Sequence, residues 1–267
     1  MFGARLIAVI FCICFAMSTV AEASNTVRIK ARFSPNKLGA STSVLMTTDI
    51  GTTAGTVPSP VTSLDISLPQ GVGLGNTTLG EALCSIKTLE FIGPSGCSPN
   101  SRMGFGHATV ALPIGPEPVE DAAKISIFMG PPVNHHTSLL FYADSVSPVS
   151  AQLVFPGQLT ETERHGHILT DIPLTPTLPA APDASVVHMQ TSLGPAHLTY
   201  YTHVHGKIVG YKPVGLAEPE SCPRGGFPFV ATYKFQDGST VITSTVAPCP
   251  QAKSNNSRHR RSSRLKK

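Results

Sequence analysis

Histidine pairs are the residues of this chain whose types and spacing come nearest to a metal-binding pattern. The chain has ten His, and two H-x-H pairs are His165/His167 and His203/His205. Because strand residues i and i+2 point to the same side, such a pair can offer two imidazoles to one zinc or copper ion. The sequence identifies no third ligand. His203 and His205 are therefore weak metal candidates, a polar strand face in water is the simpler interpretation, and we predict no bound metal or cofactor.

A cluster of tyrosines suggests a second kind of site. Tyr200, Tyr201 and Tyr211 lie close together in a chain that has five Tyr and no Trp. In a regular strand the first two face opposite sides, so one ring is exposed and available to stack on a sugar. Carbohydrate is thus a candidate ligand, on a weak signal. The alternation places His197, Thr199, Tyr201, His203 and His205 on one face and Leu198, Tyr200, Thr202 and Val204 on the opposite, buried face.

Signatures of catalysis are absent from the sequence. It has no G-x-S-x-G nucleophile elbow, no H-E-x-x-H zinc helix, no phosphate-binding P-loop and no redox C-x-x-C. Isolated Ser, His and Asp do not define a triad, since triad members are recognised by geometry rather than by sequence position. We therefore predict that the protein is not an enzyme. The alternative is a secreted hydrolase or metal-dependent enzyme whose site has no sequence signature.

Four cysteines predict two disulfide bonds. The chain has six Cys, of which two fall in the apolar N-terminal run. An even number of Cys in an exported chain favours disulfides, and four Cys allow three pairings. We favour Cys84–Cys97 and Cys222–Cys249, because each pair closes a local loop. The four are too widely spaced for the C-x-x-C knuckles of a zinc site.

The N-terminus has the pattern of a signal peptide, over residues 1–23. Arg5 supplies the positive charge, and Leu6–Met17 is an apolar run of 12 residues that is too short to span a bilayer of about 30 Å. Ala21 and Ala23 form a small-residue cleavage site. We expect a secreted, extracellular protein with no transmembrane segment after cleavage. A membrane anchor is the alternative.

Charge divides the rest of the chain into a body and a tail. Residues 251–267 hold seven Lys or Arg and no acid, whereas residues 24–250 hold 12 Lys and Arg against 15 Asp and Glu. A basic tail rich in Ser and Asn cannot pack an apolar face, so it is predicted to be disordered. It could retain the protein at an anionic cell-envelope polymer or surface; a solubilising tail is the alternative. Tail binding to nucleic acid would be non-specific.

Alternating segments predict an all-β, β-sandwich-like fold for residues 24–250. Thr26–Phe33 alternates apolar and polar side chains, and short runs of this kind recur between Pro and Gly turns. Asp237-Gly238 predicts a hairpin. One short helix is expected within the first disulfide loop, with Ser85 as N-cap. The linker candidates 115–121 and 178–183 leave two lobes open as an alternative to one. The other predicted strands are 43–50, 61–68, 107–112, 123–129, 138–143, 150–155, 167–172, 185–193, 197–205, 207–212, 229–236 and 239–247.

Three stretches of the chain resemble a known protein group. They are Cys84 to Gly104 with its C-S-P-N-S-R-M-G end, Ser147–Gly157, and the C-P-R-G-G-F-P-F run from Cys222, which is closed by Pro248–Pro250. Together they resemble uncharacterised exported β-rich proteins of actinobacteria. The resemblance implies export and a β-rich fold, and it carries no activity or site residue. We therefore expect a secreted or cell-surface protein with a binding or structural role.

Overall fold

A computed structural model describes residues 23–74, 81–161, 165–177 and 181–251. Nearly all of the predicted signal peptide (1–23) and of the predicted basic tail (251–267) lies outside these described residues. Both therefore stay predictions.

Strands dominate the described residues, and each predicted segment lies on one. The described residues contain one α-helix, α1, which spans Ile86–Ile92. In chain order the strands are β1 (Asn25–Ser34), β2 (Ser41–Thr52), β3 (Val61–Ser67), β4 (Gly73–Leu74), β5 (Arg102–Leu112), β6 (Val119–Val133), β7 (His136–Ser145), β8 (Ala151–Glu161), β9 (Gly166–Asp171), β10 (Ser185–Leu193), β11 (Tyr200–Val204), β12 (Lys207–Tyr211), β13 (Leu216–Ala217), β14 (Phe227–Phe235) and β15 (Thr240–Ala247).

Thirteen of these strands form one antiparallel sheet that is nearly barrel-like. The order along its main path is β15-β14-β3-β9-β8-β7-β6-β5-β10-β2-β13-β4, and β1 pairs with β2. The sheet curls until β1 lies beside β15, although the two share no hydrogen-bonded ladder. Side chains tie the seam at both ends. The Asn25 amide donates to Asp237 and Ser239, and the Asn36 amide donates to the carbonyl of Pro248. The all-β prediction is confirmed.

The core lies on the concave side of this curled sheet. In β1 the apolar side chains are buried and the basic ones are exposed, as the alternation predicts. The β14 strand also alternates, and its aromatic residues meet those of β1. The Phe33 ring lies 5.2 Å from that of Phe227 and 5.8 Å from that of Phe229. Each such burial contributes about 1.5–3 kcal/mol.

A second, smaller core lies on the convex side, where α1 covers β6, β7 and β8. The Ser85 hydroxyl accepts from the Thr88 amide and caps α1, as predicted. Leu89 of α1 is fully buried against Phe128 and Leu140. The Cys84–Cys97 disulfide, with Cα atoms 5.4 Å apart, closes the loop around α1. The second disulfide joins Cys222 to Cys249, with Cα atoms 5.8 Å apart. Both predicted pairings are confirmed.

The remaining connections fit the sheet. The β14–β15 hairpin is confirmed, but its loop is residues 236–239 rather than two residues, with Gly238 at φ 83°. Segment 115–121, a candidate linker, joins the paired strands β5 and β6 and ends within β6. None of the described helices is long and apolar enough to cross a bilayer.

Candidate functional site

The β11–β12 hairpin carries the histidine pair that the sequence singled out. His203 lies in β11, but His205 lies in the turn with φ 48°, followed by Gly206 at φ 74°. The two imidazoles are therefore not i and i+2 neighbours on one strand. Among the described residues, no group of three His, Cys, Asp or Glu is placed to hold a metal ion. His197 lies before the strand, in a short 3-10 turn, where its ring bonds the Ser34 hydroxyl at 2.9 Å.

Only part of the predicted buried face of this segment is buried. Thr202 and Val204 are exposed, because β11 pairs with β12 alone and the pair forms a sheet separate from the main one. Tyr200 is fully buried, and its hydroxyl donates to the carbonyl of Arg102 at 2.6 Å. Tyr201 is the exposed ring, at 47%. Tyr211 packs edge-on to Tyr200, with ring centroids 6.1 Å apart.

Tyr211 is half-buried, and its surroundings favour the protonated form of its hydroxyl. Burial first, and then the carboxylate of Glu81, raise the pKa of Tyr211 to about 12. The tyrosine cluster thus has one structural ring, one half-buried ring and one exposed ring. Single exposed aromatics are ordinary on protein surfaces, so this arrangement adds no support for a sugar platform.

Other histidines pair with single carboxylates. His167 Nδ1 lies 3.0 Å from an oxygen of Asp65, and His188 Nδ1 lies 2.7 Å from an oxygen of Asp49. The ring of His107 lies 6.2 Å from that of His188. Each pair joins neighbouring strands of the sheet, which is a positioning contact and not a nucleophile–base arrangement.

An apolar cavity of about 100 Å³, which we call the inner cavity, lies within the curled sheet. Its walls are inward-facing side chains of β2, β3 and β6 to β10, and the polar residues among them are Thr170 and Thr191. The Thr170 hydroxyl is occupied by the carbonyl of Pro156. The stacked rings of Phe141 and Phe155, 5.2 Å apart, form part of the wall. A dry apolar cavity of about 150 Å³ holds benzene, so the inner cavity by itself is smaller than a benzene-sized ligand needs.

A larger pocket of about 470 Å³, which we call the mouth pocket, adjoins the inner cavity. It lies where β5, β7 and β9 end and β3, β6 and β8 begin. Apolar side chains such as Val110, Leu112 and Leu153 line most of it, and Ala143 and Ile172 belong to the walls of both spaces. The two spaces are therefore neighbours that are separated at most by these two side chains.

Asp121 is the buried carboxylate of the mouth pocket. It is 4% exposed, and it is the first of the inward-facing residues of β6 that continue with Ala123 and Ile125. No described residue donates a hydrogen bond to its Oδ1, which is itself buried. A carboxylate removed from water without a partner costs several kcal/mol, so such groups are rare unless something pairs with them.

Four other aspartates of the described chain have side-chain partners. Asp237 accepts from Asn25 and Ser239, and Asp183 accepts from Gln236 at 2.8 Å. Asp49 and Asp65 each pair with a histidine. Asp121 thus differs from these residues by being both buried and without a donor at Oδ1.

Glu218 is a second buried carboxyl, and its contacts are those of a structural residue. Burial raises the pKa of Glu218, while a hydrogen bond from the Lys37 amide opposes the shift. Its backbone N–H donates to Ala40 and its carbonyl accepts from Gly39, so residue 218 holds the β1–β2 connection in place. Its Oε2 accepts from the Lys37 amide, whereas its Oε1 is buried without a donor among the described residues.

No motif in the sequence identifies Asp121 as a functional residue. It stands at the end of a segment read as a linker candidate, and a lone Asp near a strand start has no signature. The alternation predicts a strand that starts at Ala123. Extending this alternation back by two residues places Asp121 on the buried face. That step was the one signal in the sequence that could have found it.

No protein-family model, no curated protein and no solved structure matches this chain. The resemblance to exported actinobacterial proteins therefore stays a prediction.

Proposed function

We propose that this protein is a binding protein that holds a small, largely apolar molecule in the mouth pocket and the inner cavity. The observation that carries the proposal is a largely apolar pocket of about 470 Å³ that shares the lining residues Ala143 and Ile172 with an apolar cavity of about 100 Å³. Ligand sites are typically concave and apolar, with a few polar groups that fix orientation. The mouth pocket has this composition.

The site lies on rigid elements. Its walls come mostly from paired strands, and Gly157 of β8 leaves room for the Phe141 ring, since a Cβ there would lie 2.7 Å from it. Side chains held on paired strands give a preformed site, and a preformed site loses little free energy to ordering when a ligand binds.

A neutral fluorescent probe tests this proposal. We expect N-phenyl-1-naphthylamine to bind saturably, with a blue-shifted emission, because the lining of the mouth pocket is largely apolar. Ala143→Leu enlarges a side chain that lines both spaces, and it is expected to weaken binding about tenfold, or by about 1.4 kcal/mol.

The control for this variant is Ala122→Leu, because Ala122 is exposed on β6 and lines neither space. Thermal unfolding of both variants separates lost binding from overpacking, which costs about 1–3 kcal/mol. Absence of saturable binding to the unaltered protein, or equal loss in both variants, would refute the proposal.

We also propose that the protein works outside the cytoplasm. The two disulfides support this, because such bonds persist in oxidising compartments. The signal-peptide pattern of residues 1–23 supports export, and the seven bases of residues 251–267 support retention at an anionic cell-envelope surface. Export is tested by N-terminal sequencing of the mature protein from culture fractions, with cleavage expected after Ala23.

A further inference from the structure

We infer that the ligand of the mouth pocket is an amphiphilic amine, whose protonated nitrogen pairs with the carboxylate of Asp121 and whose apolar body lies along the pocket. This inference rests on the proposed function and adds the chemical class of the ligand. It depends on one residue that the fold itself does not use.

Asp121 is a buried residue without a hydrogen-bond donor at one carboxyl oxygen. Its side chain is nearly all buried, its Oδ1 is enclosed, and no described group donates to that oxygen. A structural aspartate usually bonds a backbone or side-chain donor, as Asp237 does with Ser239. Asp121 supports no loop or turn in this way, so a bound group is the natural partner for it.

The charged residues that line the mouth pocket are both carboxylates, Asp121 and Asp144. Carboxylates in a largely apolar wall favour a positively charged donor, and Asp121 is the buried one of the two, without a donor at Oδ1. A divalent metal would need further ligands, and the described residues offer no cluster of three His, Cys, Asp or Glu. An ammonium group provides three donors and a full charge, and charge-assisted hydrogen bonds are about twice as strong as neutral ones.

The walls of the mouth pocket around Asp121 are largely apolar. Val110 opposes Asp121 across the β5–β6 ladder, and Leu112 lies farther along β5. On the side away from the mouth, the walls continue into the inner cavity. A ligand with its nitrogen at Asp121 therefore has apolar surface for its chain on several sides. An alkylamine meets both requirements, whereas a sugar would leave many hydroxyls facing apolar side chains.

The experiment compares three probes of equal chain length by displacement of N-phenyl-1-naphthylamine at pH 7. The probes are n-octylamine, 1-octanol and octanoate, which differ in the charge of the head group. We expect n-octylamine to bind about tenfold or more tightly than 1-octanol, and octanoate to bind least well. Equal binding of the amine and the alcohol would overturn the inference and leave the proposed function standing. Failure of the dye and of all three probes to bind would remove both.

Variants locate the charge. Asp121→Asn keeps the shape of the side chain and is expected to abolish the preference for the amine while leaving 1-octanol binding within about twofold. Asp171→Asn, which removes an exposed carboxylate of β9 that lines neither space, is the matched control. Persistence of the preference in Asp121→Asn, with its loss in Asp144→Asn at the same pocket, would overturn the assignment to Asp121.

The melting temperature of Asp121→Asn is a second measurement. It would fall if the Asp121 carboxylate had a structural role. Replacing a buried carboxyl whose Oδ1 has no donor by an amide of the same shape is expected to leave the melting temperature unchanged or to raise it. A large fall in melting temperature for Asp121→Asn would mean that the carboxylate supports the fold, which would contradict the inference. The comparison of the three probes on the unaltered protein does not depend on this variant.

Discussion

The side-chain amide of Asn25 donates a hydrogen bond of 2.8 Å to the carboxylate of Asp237, which lies 212 residues later in the chain. Asn25 begins β1 and Asp237 lies in the turn between β14 and β15. The contact joins the first strand to the last hairpin where no backbone ladder does so. It therefore closes one end of the seam of the curled sheet.

Asp237 makes this closure sensitive to acid. Hydrogen bonds, first from the Ser239 side chain and then from the Ser239 amide and Asn25, hold the pKa of Asp237 below its usual 3.8. A lowered pKa in the folded state means that the stabilisation is present above the unfolded pKa and is lost as pH falls through the folded one. We expect Asp237→Asn to cost about 0.5–1 kcal/mol at pH 7, since water screens this exposed group.

The acid prediction is checked by urea unfolding at pH 7 and at pH 2.5. The difference between Asp237→Asn and the unaltered protein should shrink at the lower pH. Asp171→Asn, at an exposed carboxylate for which the structure shows no hydrogen bond, is the control. A difference that stays constant with pH would contradict the role of the Asp237 charge.

The Thr48 and Tyr233 hydroxyls meet at 3.0 Å in the core, and link β2 to β14. Tyr233→Phe would leave the buried Thr48 hydroxyl without this bond, and we expect a loss of about 1–3 kcal/mol in the free energy of unfolding. The double variant Tyr233→Phe/Thr48→Val removes both polar groups and should cost less than the sum of the two single variants. Additive losses in the urea unfolding of the set would contradict the coupling.

The same tyrosine predicts a loss of stability in alkali. Burial raises the pKa of Tyr233 to about 12, although its bond with Thr48 acts in the opposite direction. A raised pKa means that the folded state keeps the proton, so this stabilisation is present below pH 10 and is lost as pH rises toward 12. Unfolding measured between pH 9 and pH 11 should show a steeper fall for the unaltered protein than for Tyr233→Phe. Identical slopes would argue against this role.

The first disulfide is expected to stabilise α1 rather than the curled sheet. Cys84 and Leu89 pack in the convex-side cluster, apart from the main core. We predict that Cys84→Ser/Cys97→Ser exposes the amides of Ile86–Ile92 to hydrogen exchange while those of β14 keep their protection. Cys222→Ser/Cys249→Ser is the comparison pair and should leave α1 protected. Equal loss of protection in both regions would mean that α1 and the sheet unfold together.

The basic tail gives a prediction about location. Deleting residues 253–267 should leave the melting temperature nearly unchanged, because the segment lacks apolar side chains with which to pack. The deletion should also weaken retention on anionic envelope material, more visibly at low salt, where the Debye length grows from about 10 Å at 0.1 M to about 30 Å at 0.01 M. Retention that is unchanged and insensitive to salt would assign any attachment to the β body.

Local patterns in the sequence were sufficient for the elements of the fold. Alternation identifies the thirteen longer strands, Ser85 marks the start of α1, and local spacing pairs the four cysteines. These features depend on neighbours along the chain, and their physical causes act over a few residues. The two-residue strands β4 and β13 were missed because so short a segment has no period.

Only the tertiary structure decided which strands meet and what they enclose. The alternation places His205 in a strand, but His205 lies in the β11–β12 turn at positive φ. No pattern in that segment shows that β11 and β12 form a sheet separate from the main one. Asp121 ends a segment that the sequence predicts as a linker, but it lines the mouth pocket. It does so because β5 and β6 pair and the sheet curls until β1 lies beside β15. Burial of one side chain depends on strands far away in sequence, and alternation alone assigns it a face but not a neighbour.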